Sequence, residues 1–323
     1  MKRVVIGMSG GVDSSVAAIC LKEQGYEVIG LFMRNWDSLM NNDVLGNDNL
    51  KNNDICPQEQ DYNDALNVCE KLGIKLYRID FVKEYWDYVF TYFLDELKKG
   101  RTPNPDVMCN KYIKFDLFVK EAKKLGADYI ATGHYAKNEY NEQYNRWVIK
   151  KSNAGNKDQT YVLWNIPKEV IEHIIFPLSD FENKDQIREI ARQNNLKVAN
   201  KPDSEDICFI PDGNYKKFLE NNSNIKPEAG DIVTSEGEVL GTHNGLYNYT
   251  IGQRKGLGIS YKEPLYVIGF NKEKNQVIVG KESEIYSTEM LVNEINLLLV
   301  DEIKGKMPVL VKTRYSAKED KAT

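Results

Sequence analysis

Two groups of residues in this chain can do covalent or phosphate chemistry: a serine- and glycine-rich turn near the amino terminus, and cysteines set among polar neighbours. Ser9-Gly10-Gly11-Val12-Asp13-Ser14 follows the aliphatic run Val4-Val5-Ile6 and precedes Val16, Ala17, Cys20 and Leu21 at helical spacing. A strand, turn and helix in that order aim unpaired backbone N–H groups and the helix dipole at one point, where they favour a phosphate. The glycines let the backbone close around the anion. The turn is not a GxxxxGK[ST] loop, since no lysine sits where it would reach the β- and γ-phosphates, and it is not GxGxxG. Cys109 stands just before a helix predicted to begin near Lys111, so helix N-terminal N–H groups and a nearby cation would lower its pKa. Its neighbours Asn104-Pro105-Asp106 are polar, and the prolines fix a loop; a buried structural thiol is the alternative. Asp106 is a carboxylate that can shuttle protons or cap a helix. Cys208 follows Glu205 and Asp206, whose charge raises a thiol pKa, so local sequence leaves its role open. Cys20 and Cys69 fall on apolar helical faces and read as core, while Cys56, before Pro57, is undecided.

The elements that must position these groups follow from hydrophobic periodicity. After the first strand and helix, a strand is predicted over 26–33, a helix over 61–72, a strand over 75–79, a helix over 111–125 and a strand over 128–132. This alternation makes a doubly wound parallel α/β sheet. Residues at the carboxyl ends of its strands face the ligand crevice, which selects Gly7, Met8, Met33 and Gly133 as nucleotide-lining positions. Between Asn35 and Cys56 an Asn- and Asp-rich stretch without periodicity reads as a long loop. Beyond Pro211 short strand-like runs punctuated by glycine indicate a separate, mainly β region, with further strands at 265–270, 276–279 and 309–312.

Composition bounds the reading. The 323 residues suggest about two domains, and 41% hydrophobic with 28% charged residues excludes collagenous or wholly disordered chains. No apolar run approaches the ~20 residues of a membrane helix, and three aliphatics after Met1-Lys2-Arg3 are too few for a signal peptide, so a cytosolic protein is expected. Five widely spaced cysteines with no CxxC pair, and three histidines outside HExxH spacing, argue against a disulfide framework, a zinc ribbon or a zinc hydrolase. No metal-ligating set is predicted. The net charge of −5 does not advertise a nucleic-acid binder, so such a partner must be met by local clusters. Candidates are Lys98, Lys99 and Arg101, then Lys150 and Lys151, then Arg254 and Lys255, each of which singly reads as solvated surface.

The Ser9–Ser14 turn resembles the pyrophosphatase loop of the N-type ATP pyrophosphatases. Downstream, Asn104-Pro105-Asp106-Val107-Met108-Cys109-Asn110, Thr132-Gly133-His134-Tyr135, Lys157-Asp158-Gln159-Thr160-Tyr161, Ser204-Glu205-Asp206-Ile207-Cys208-Phe209 and Gly252-Gln253-Arg254-Lys255-Gly256-Leu257-Gly258 follow in order. Together they are similar to the tRNA 2-thiouridylases of that superfamily, from residue 6 to about residue 315. The resemblance implies an adenine-nucleotide α-hydrolase-like catalytic domain over 1–212, a central mainly β domain over 213–280 and a β-barrel over 281–323. It implies that ATP with Mg2+ adenylates the 2-oxygen of a wobble uridine, with pyrophosphate leaving into the Ser9, Gly10, Gly11, Val12, Asp13, Ser14 loop. Cys208 would receive sulfur as a persulfide that attacks C2, and Cys109 would then attack the remaining persulfide bond or help generate free sulfide. Asp106 would face the target base together with Asn104 and Pro105. His134, Lys157, Asp158 and Gln159, with Arg314 and Tyr315, would contact the tRNA, although His134 can also merely fill the site. Expected partners are Glu, Gln and Lys acceptor tRNAs and a sulfur donor such as a cysteine desulfurase or sulfur-relay protein.

Two departures accompany the resemblance: the Asn41–Asn53 loop is longer than in some relatives, and the chain stops at Thr323 where relatives continue, so an incomplete last barrel is expected. The competing readings are an adenylating synthetase or amidotransferase of the same superfamily, which would need neither Cys109 nor Cys208, and a nucleotide-sensing module that catalyses nothing.

Overall fold

A computed structural model of the chain describes residues 1–37, 57–203, 218–219 and 228–323. The chain supplies, in order, strands β1 (Arg3–Gly7), β2 (Glu27–Arg34), β3 (Lys75–Asp80) and β4 (Tyr129–Ala131), then the hairpin of β5 (Lys137–Asn141) and β6 (Arg146–Lys150), then β7 (Ile174–Ile175). Five of these pair in parallel in the order β3-β2-β1-β4-β7.

Alternation along the strands builds two cores. On β1, Val4 and Ile6 enter the cluster under one face while Val5 enters the cluster under the other. On β2, Val28 and Phe32 join the first, Leu31 the second. Both faces are therefore covered, as a parallel sheet requires, and each fully buried aliphatic contributes about 1.5–3 kcal/mol.

The helices are α1 (Val12–Glu23), α2 (Pro57–Leu72), α3 (Val82–Tyr85), α4 (Thr91–Lys98), α5 (Pro105–Met108), α6 (Phe118–Lys124) and α7 (Lys184–Gln193). Wide π turns at Trp86–Phe90 and Cys109–Leu117 join α3 to α4 and α5 to α6. Two helices thus start earlier than periodicity predicts, at Pro57 rather than 61 and at Pro105 rather than 111. In each case a proline occupies the first turn, where its missing N–H costs nothing.

The mainly β region is a separate sheet of β8 (Ala229–Thr234), β9 (Val239–Asn244), β10 (Tyr266–Asn271) and β11 (Gln276–Gly280), ordered β10-β11-β8-β9. It has its own core of Ile232, Leu257, Leu265, Val267, Val277 and Val279. Beyond it, β12 (Val309–Val311) and β13 (Asp320–Ala322) form an antiparallel pair, and Met290, Leu291 and Ile295 before them are exposed.

Candidate active site

The strand order reverses between β1 and β4, and the crevice outside the carboxyl ends of such strands is where doubly wound sheets bind ligands. The Ser9–Ser14 turn leaves β1 at this point and runs into α1, whose N-cap is Gly11 with no side-chain capping bond. The first-turn N–H groups of α1 therefore have no intrahelical acceptor, which is the condition for anion binding. Two glycines make the corner possible. Gly10 adopts φ +74°, and a Cβ there would lie 2.2 Å from the Asp61 carbonyl oxygen at the start of α2. A Cβ on Gly133, in the loop after β4, would lie 2.8 Å from the Ser14 amide nitrogen. Within the turn, the Ser9 amide donates to Ser14 Oγ at 3.2 Å, the Gly11 amide to Ser9 Oγ at 3.3 Å, and Ser15 Oγ to the Gly11 carbonyl at 2.8 Å.

An ionic network surrounds the turn. Asp13 accepts from the Tyr135 hydroxyl at 2.7 Å and from Lys184 Nζ at 2.6 Å. Burial, and then the Asp13 charge, push the Tyr135 hydroxyl pKa up, so it stays protonated and donates. Lys184 also reaches Asp203 at 2.9 Å, and Asp203 is bonded in addition by Arg188 at 3.1 Å and Lys157 at 3.3 Å. Burial raises the Asp203 pKa, but its bonds and charge attraction to Lys184 and Lys157 outweigh that and hold it below the ordinary carboxylate value. Lys184 is where it is because α7 opens with a capping box: Asn183 Oδ1 accepts from the Gln186 amide at 3.2 Å, and the Gln186 side chain accepts from the Asn183 amide at 3.4 Å. Such a cap is worth about 1 kcal/mol. One turn on, Ile187 and Ala191 bury in the core shared with α1, which holds the amino end of α7 against Asp13.

On the other side of the turn, Lys201 Nζ donates to Asp64 at 2.6 Å, to Asp61 at 2.7 Å and to the Gly10 carbonyl at 3.1 Å. Burial lowers its pKa, but the bonds to the two carboxylates prevail and hold it above the ordinary lysine value.

The other nucleotide-lining positions divide. Gly7 closes β1 with the Met33 methyl 3.2 Å from where its Cβ would be. Met33 is partly buried between two apolar clusters. Met8 and Val12 turn their side chains into the core, so only their backbone can face the crevice.

His134 has partners that sequence did not reveal. Its ring is buried, with Thr132 Oγ1 at 2.8 Å from Nδ1 and Lys114 Nζ at 3.4 Å from Nε2. Burial, then the Lys114 charge, depress its pKa well below the usual histidine value. Asp158 accepts from the amides of Ser152 and Thr160 at 2.8 and 3.1 Å, and the Gln159 side chain accepts from the Tyr135 amide at 2.9 Å. These two residues organise the loop itself, while Lys157 reaches out to Asp203. Arg314 and Tyr315 are exposed; Arg314 bonds the Ile251 carbonyl, and Tyr315 packs edge-on against Tyr161 with ring centroids 6.2 Å apart. The expected basic clusters are partly neutralised: Lys98 pairs with Asp95, Lys99 and Arg101 with Glu96, Lys150 with Glu139 and Lys151 with Glu319.

The cysteine loop differs from expectation. Asn104, not Asp106, caps α5, accepting from the Val107 amide at 3.4 Å, and Asp106 is left exposed in the first turn. Cys109 lies one turn inside the helical run, its amide already directed to the Pro105 and Asp106 carbonyls. It is buried in an apolar cluster with Trp36, Tyr85, Phe90, Phe93, Ile113 and Phe218. The helix begins at Pro105, not near Lys111, so Cys109 follows the first helical turn instead of standing before the helix. Cys20 and Cys69 are held as expected, with burial pushing their thiols up to about 11 and about 12. Cys208, the rest of Ser204–Phe209, Cys56 and the Asn41–Asn53 loop lie outside the described residues.

Lys184, Arg188, Asp203, Lys201 and Tyr135 are the site residues that sequence reasoning missed. The Asn183-x-x-Gln186 capping pattern could have placed Lys184 at a helix start, and Tyr135 and Asp203 lay inside or beside quoted motifs. Tyr135 and Lys184 meet Asp13 across 122 and 171 positions and Lys201 meets Gly10 across 191, so those pairings had no local signal.

The switch-point crevice, the glycine-rich turn at the amino end of α1 and the appended β sheet define a two-part HUP-domain protein. A family model described as the tRNA methyl transferase HUP domain matches residues 2–212, and one described as the tRNA methyl transferase PRC-barrel domain matches residues 216–281; the chain belongs to this family. Its relatives include proteins named tRNA-specific 2-thiouridylase MnmA. The one from Mycoplasma mycoides subsp. mycoides SC is 52% identical over 331 residues, covering 99% of this chain and 87% of that protein. The Mesoplasma florum protein is 54% identical over 301 residues (91% of this chain, 79% of its own), and that of Clostridioides difficile 43% over 322 residues (100% and 87%).

Proposed function

We propose that this chain is an ATP-dependent tRNA 2-thiouridylase that acts on the wobble uridine. The observation that carries the reading is the Ser9–Ser14 turn, closed by Gly10 and Gly133 at the amino end of α1, in a chain with full-length relatives named for 2-thiolation. The family model's description mentions methyl transfer instead. An anion cradle at the switch point suits pyrophosphate release, which methyl transfer does not need, and so favours thiolation.

Converting C2=O to C2=S requires oxygen to become a leaving group. The uracil 2-oxygen attacks the α-phosphorus of ATP, and pyrophosphate departs into the turn, where the α1 N–H groups stabilise it. Asp13, bonded by Tyr135 and Lys184, and Ser14 would help to hold Mg2+ with ATP, an ion bound by one or two carboxylates together with substrate phosphates, where it would offset phosphate charge. Asp106, exposed at the start of α5, faces the base and handles its proton. The terminal sulfur of a Cys208 persulfide attacks C2 and expels AMP. The Cys109 thiolate then attacks Cys208 Sγ, breaking the S–S bond to leave C2=S and a Cys109–Cys208 disulfide, which a two-electron thiol reductant reopens.

Residues 1–212 form the catalytic domain in this reading, with 213–280 and 281–323 extending the tRNA surface through Arg314 and Tyr315, a cation and an aromatic suited to phosphate and base. Asn104, Pro105, His134 and Lys157-Asp158-Gln159 complete that surface, although the burial of His134 gives it a packing role first. The acceptors are Glu, Gln and Lys tRNAs, the sulfur comes from a cysteine desulfurase or relay protein, and the reaction is cytoplasmic. Among the described residues no helix is long and apolar enough to cross a membrane.

The test is to incubate α-labelled ATP with the protein, tRNA and a sulfide source. Labelled AMP that appears only with tRNA bearing an unmodified wobble uridine supports the reading. Labelled ADP, or AMP released at full rate without tRNA, overturns it.

A further inference from the structure

The geometry points to Lys201 as a positioning residue that locks the peptide between Gly10 and Gly11 in the orientation the phosphate turn needs. An ammonium group has three protons, and all three of Lys201's are directed to acceptors: Asp64 at 2.6 Å, Asp61 at 2.7 Å and the Gly10 carbonyl at 3.1 Å. A lysine so saturated and so neutralised is a strut, not a phosphate ligand. Lys184 differs, bonding two carboxylates and keeping a proton to spare.

The strut acts on a sensitive bond. In a trans peptide the C=O and the following N–H point in opposite directions. Lys201 holds the Gly10 carbonyl on one side, while the Gly11 N–H on the other side donates to Ser9 Oγ at 3.3 Å. Glycine at both positions leaves this peptide free to turn over, since Gly has no steric preference for the sign of φ. Turned over, it would present a carbonyl oxygen where the anion belongs and repel it. The close approach of Gly10 to the Asp61 backbone leaves no room for a Cβ, so glycine must stand there. Lys201 supplies the direction of the Gly10 carbonyl from a distant part of the chain. Arg188, donating to the Ala199 carbonyl at 2.9 Å and the Lys201 carbonyl at 3.1 Å, holds the strut's own backbone in place.

This inference rests on the turn binding the phosphates of ATP. The experiment uses the full chain and compares wild type, Lys201→Met, Lys201→Arg, Asp61→Asn/Asp64→Asn, and the triple variant Lys201→Met/Asp61→Asn/Asp64→Asn, which leaves no unpaired carboxylates to unfold the corner. Readouts are KM for ATP and kcat of tRNA-dependent AMP formation, inhibition by inorganic pyrophosphate, and the thermal midpoint. Lys201→Met and the triple variant should each raise KM for ATP and weaken pyrophosphate inhibition about tenfold, the scale of one charged hydrogen bond, with tRNA affinity unchanged. Lys201→Arg should recover part of the loss, and Asp61→Asn/Asp64→Asn should weaken pyrophosphate binding mildly. Unchanged KM with only a lower midpoint or lower kcat would reduce Lys201 to a structural residue. Tighter pyrophosphate binding in Asp61→Asn/Asp64→Asn would make Lys201 a direct phosphate ligand and overturn the strut. A wild type that makes no AMP and pyrophosphate would sink the functional reading and the strut with it, whereas an active wild type with an indifferent Lys201→Met sinks the strut alone.

Discussion

The phosphate turn and the Cys109 pocket lie on the same sheet and are built in opposite ways. The turn is polar, with Asp13, Tyr135, Lys184, Asp203, Lys201 and Asp61 bonded around it. Cys109 is enclosed by aromatic and aliphatic side chains, with Trp36, Phe90 and Phe218 in its cluster. Stabilising a leaving anion requires donors fixed in advance, because reorienting dipoles during the reaction costs barrier height. A buried thiol is shielded from bulk oxidants, since reactivity follows exposure. The difference teaches that one sheet can carry a polar, donor-rich corner and a thiol set in an apolar cluster.

That division can be tested by separating the halves. The largest effect is expected from Asp13→Ala, which should lower tRNA-dependent AMP formation at least about a hundredfold by removing the carboxylate that Lys184 and Tyr135 steady. Near-normal AMP formation in that variant would mean the polar corner is scaffolding. Cys109→Ser and Cys208→Ser should each abolish 2-thiouridine in nucleoside analysis while ATP affinity stays within about twofold of wild type, because the proposed nucleotide contacts lie in separate motifs. Normal 2-thiouridine from either would break the two-cysteine route.

A smaller effect asks whether tRNA recognition belongs to either half. Arg314→Ala with Tyr315→Ala should weaken tRNA binding about tenfold and flatten its salt dependence, leaving KM for ATP alone. A salt series with no slope in the wild type would remove the basic residues from recognition altogether. The smallest effect concerns His134. Its folded-state pKa is depressed by burial, so between that value and the unfolded value of about 6.5 the unfolded chain binds the extra proton. Stability is therefore full above about pH 6.5 and declines as pH falls below it. His134→Gln should make the thermal midpoint less sensitive to pH over pH 7 to 5; an unchanged pH profile would show that the ring titrates normally.

Much of the fold was legible because it is written in short-range patterns. The alternation of Val4, Val5 and Ile6 onto opposite faces of β1, and the turn that follows, need only neighbours in sequence to be recognised. The strands at 75–79, 265–270 and 276–279 were read to within a residue or so of their observed ends for the same reason. The cysteine loop misled because Pro105 reads as loop punctuation yet also suits the first turn of a helix, and that choice decides whether Cys109 sits before a helix or inside one.

By itself, then, the sequence determined which groups are present: a glycine-rich turn between strand and helix, a parallel sheet to carry it and thiols with motif neighbours. The tertiary structure decided how those groups are held. Lys201 meets Gly10 across 191 positions and Lys184 meets Asp13 across 171. No local preference encodes such a meeting, because a salt bridge forms wherever the packing of apolar faces brings its ends. Here it is Ile187 and Ala191 of α7, buried against α1, that carry Lys184 to its carboxylate.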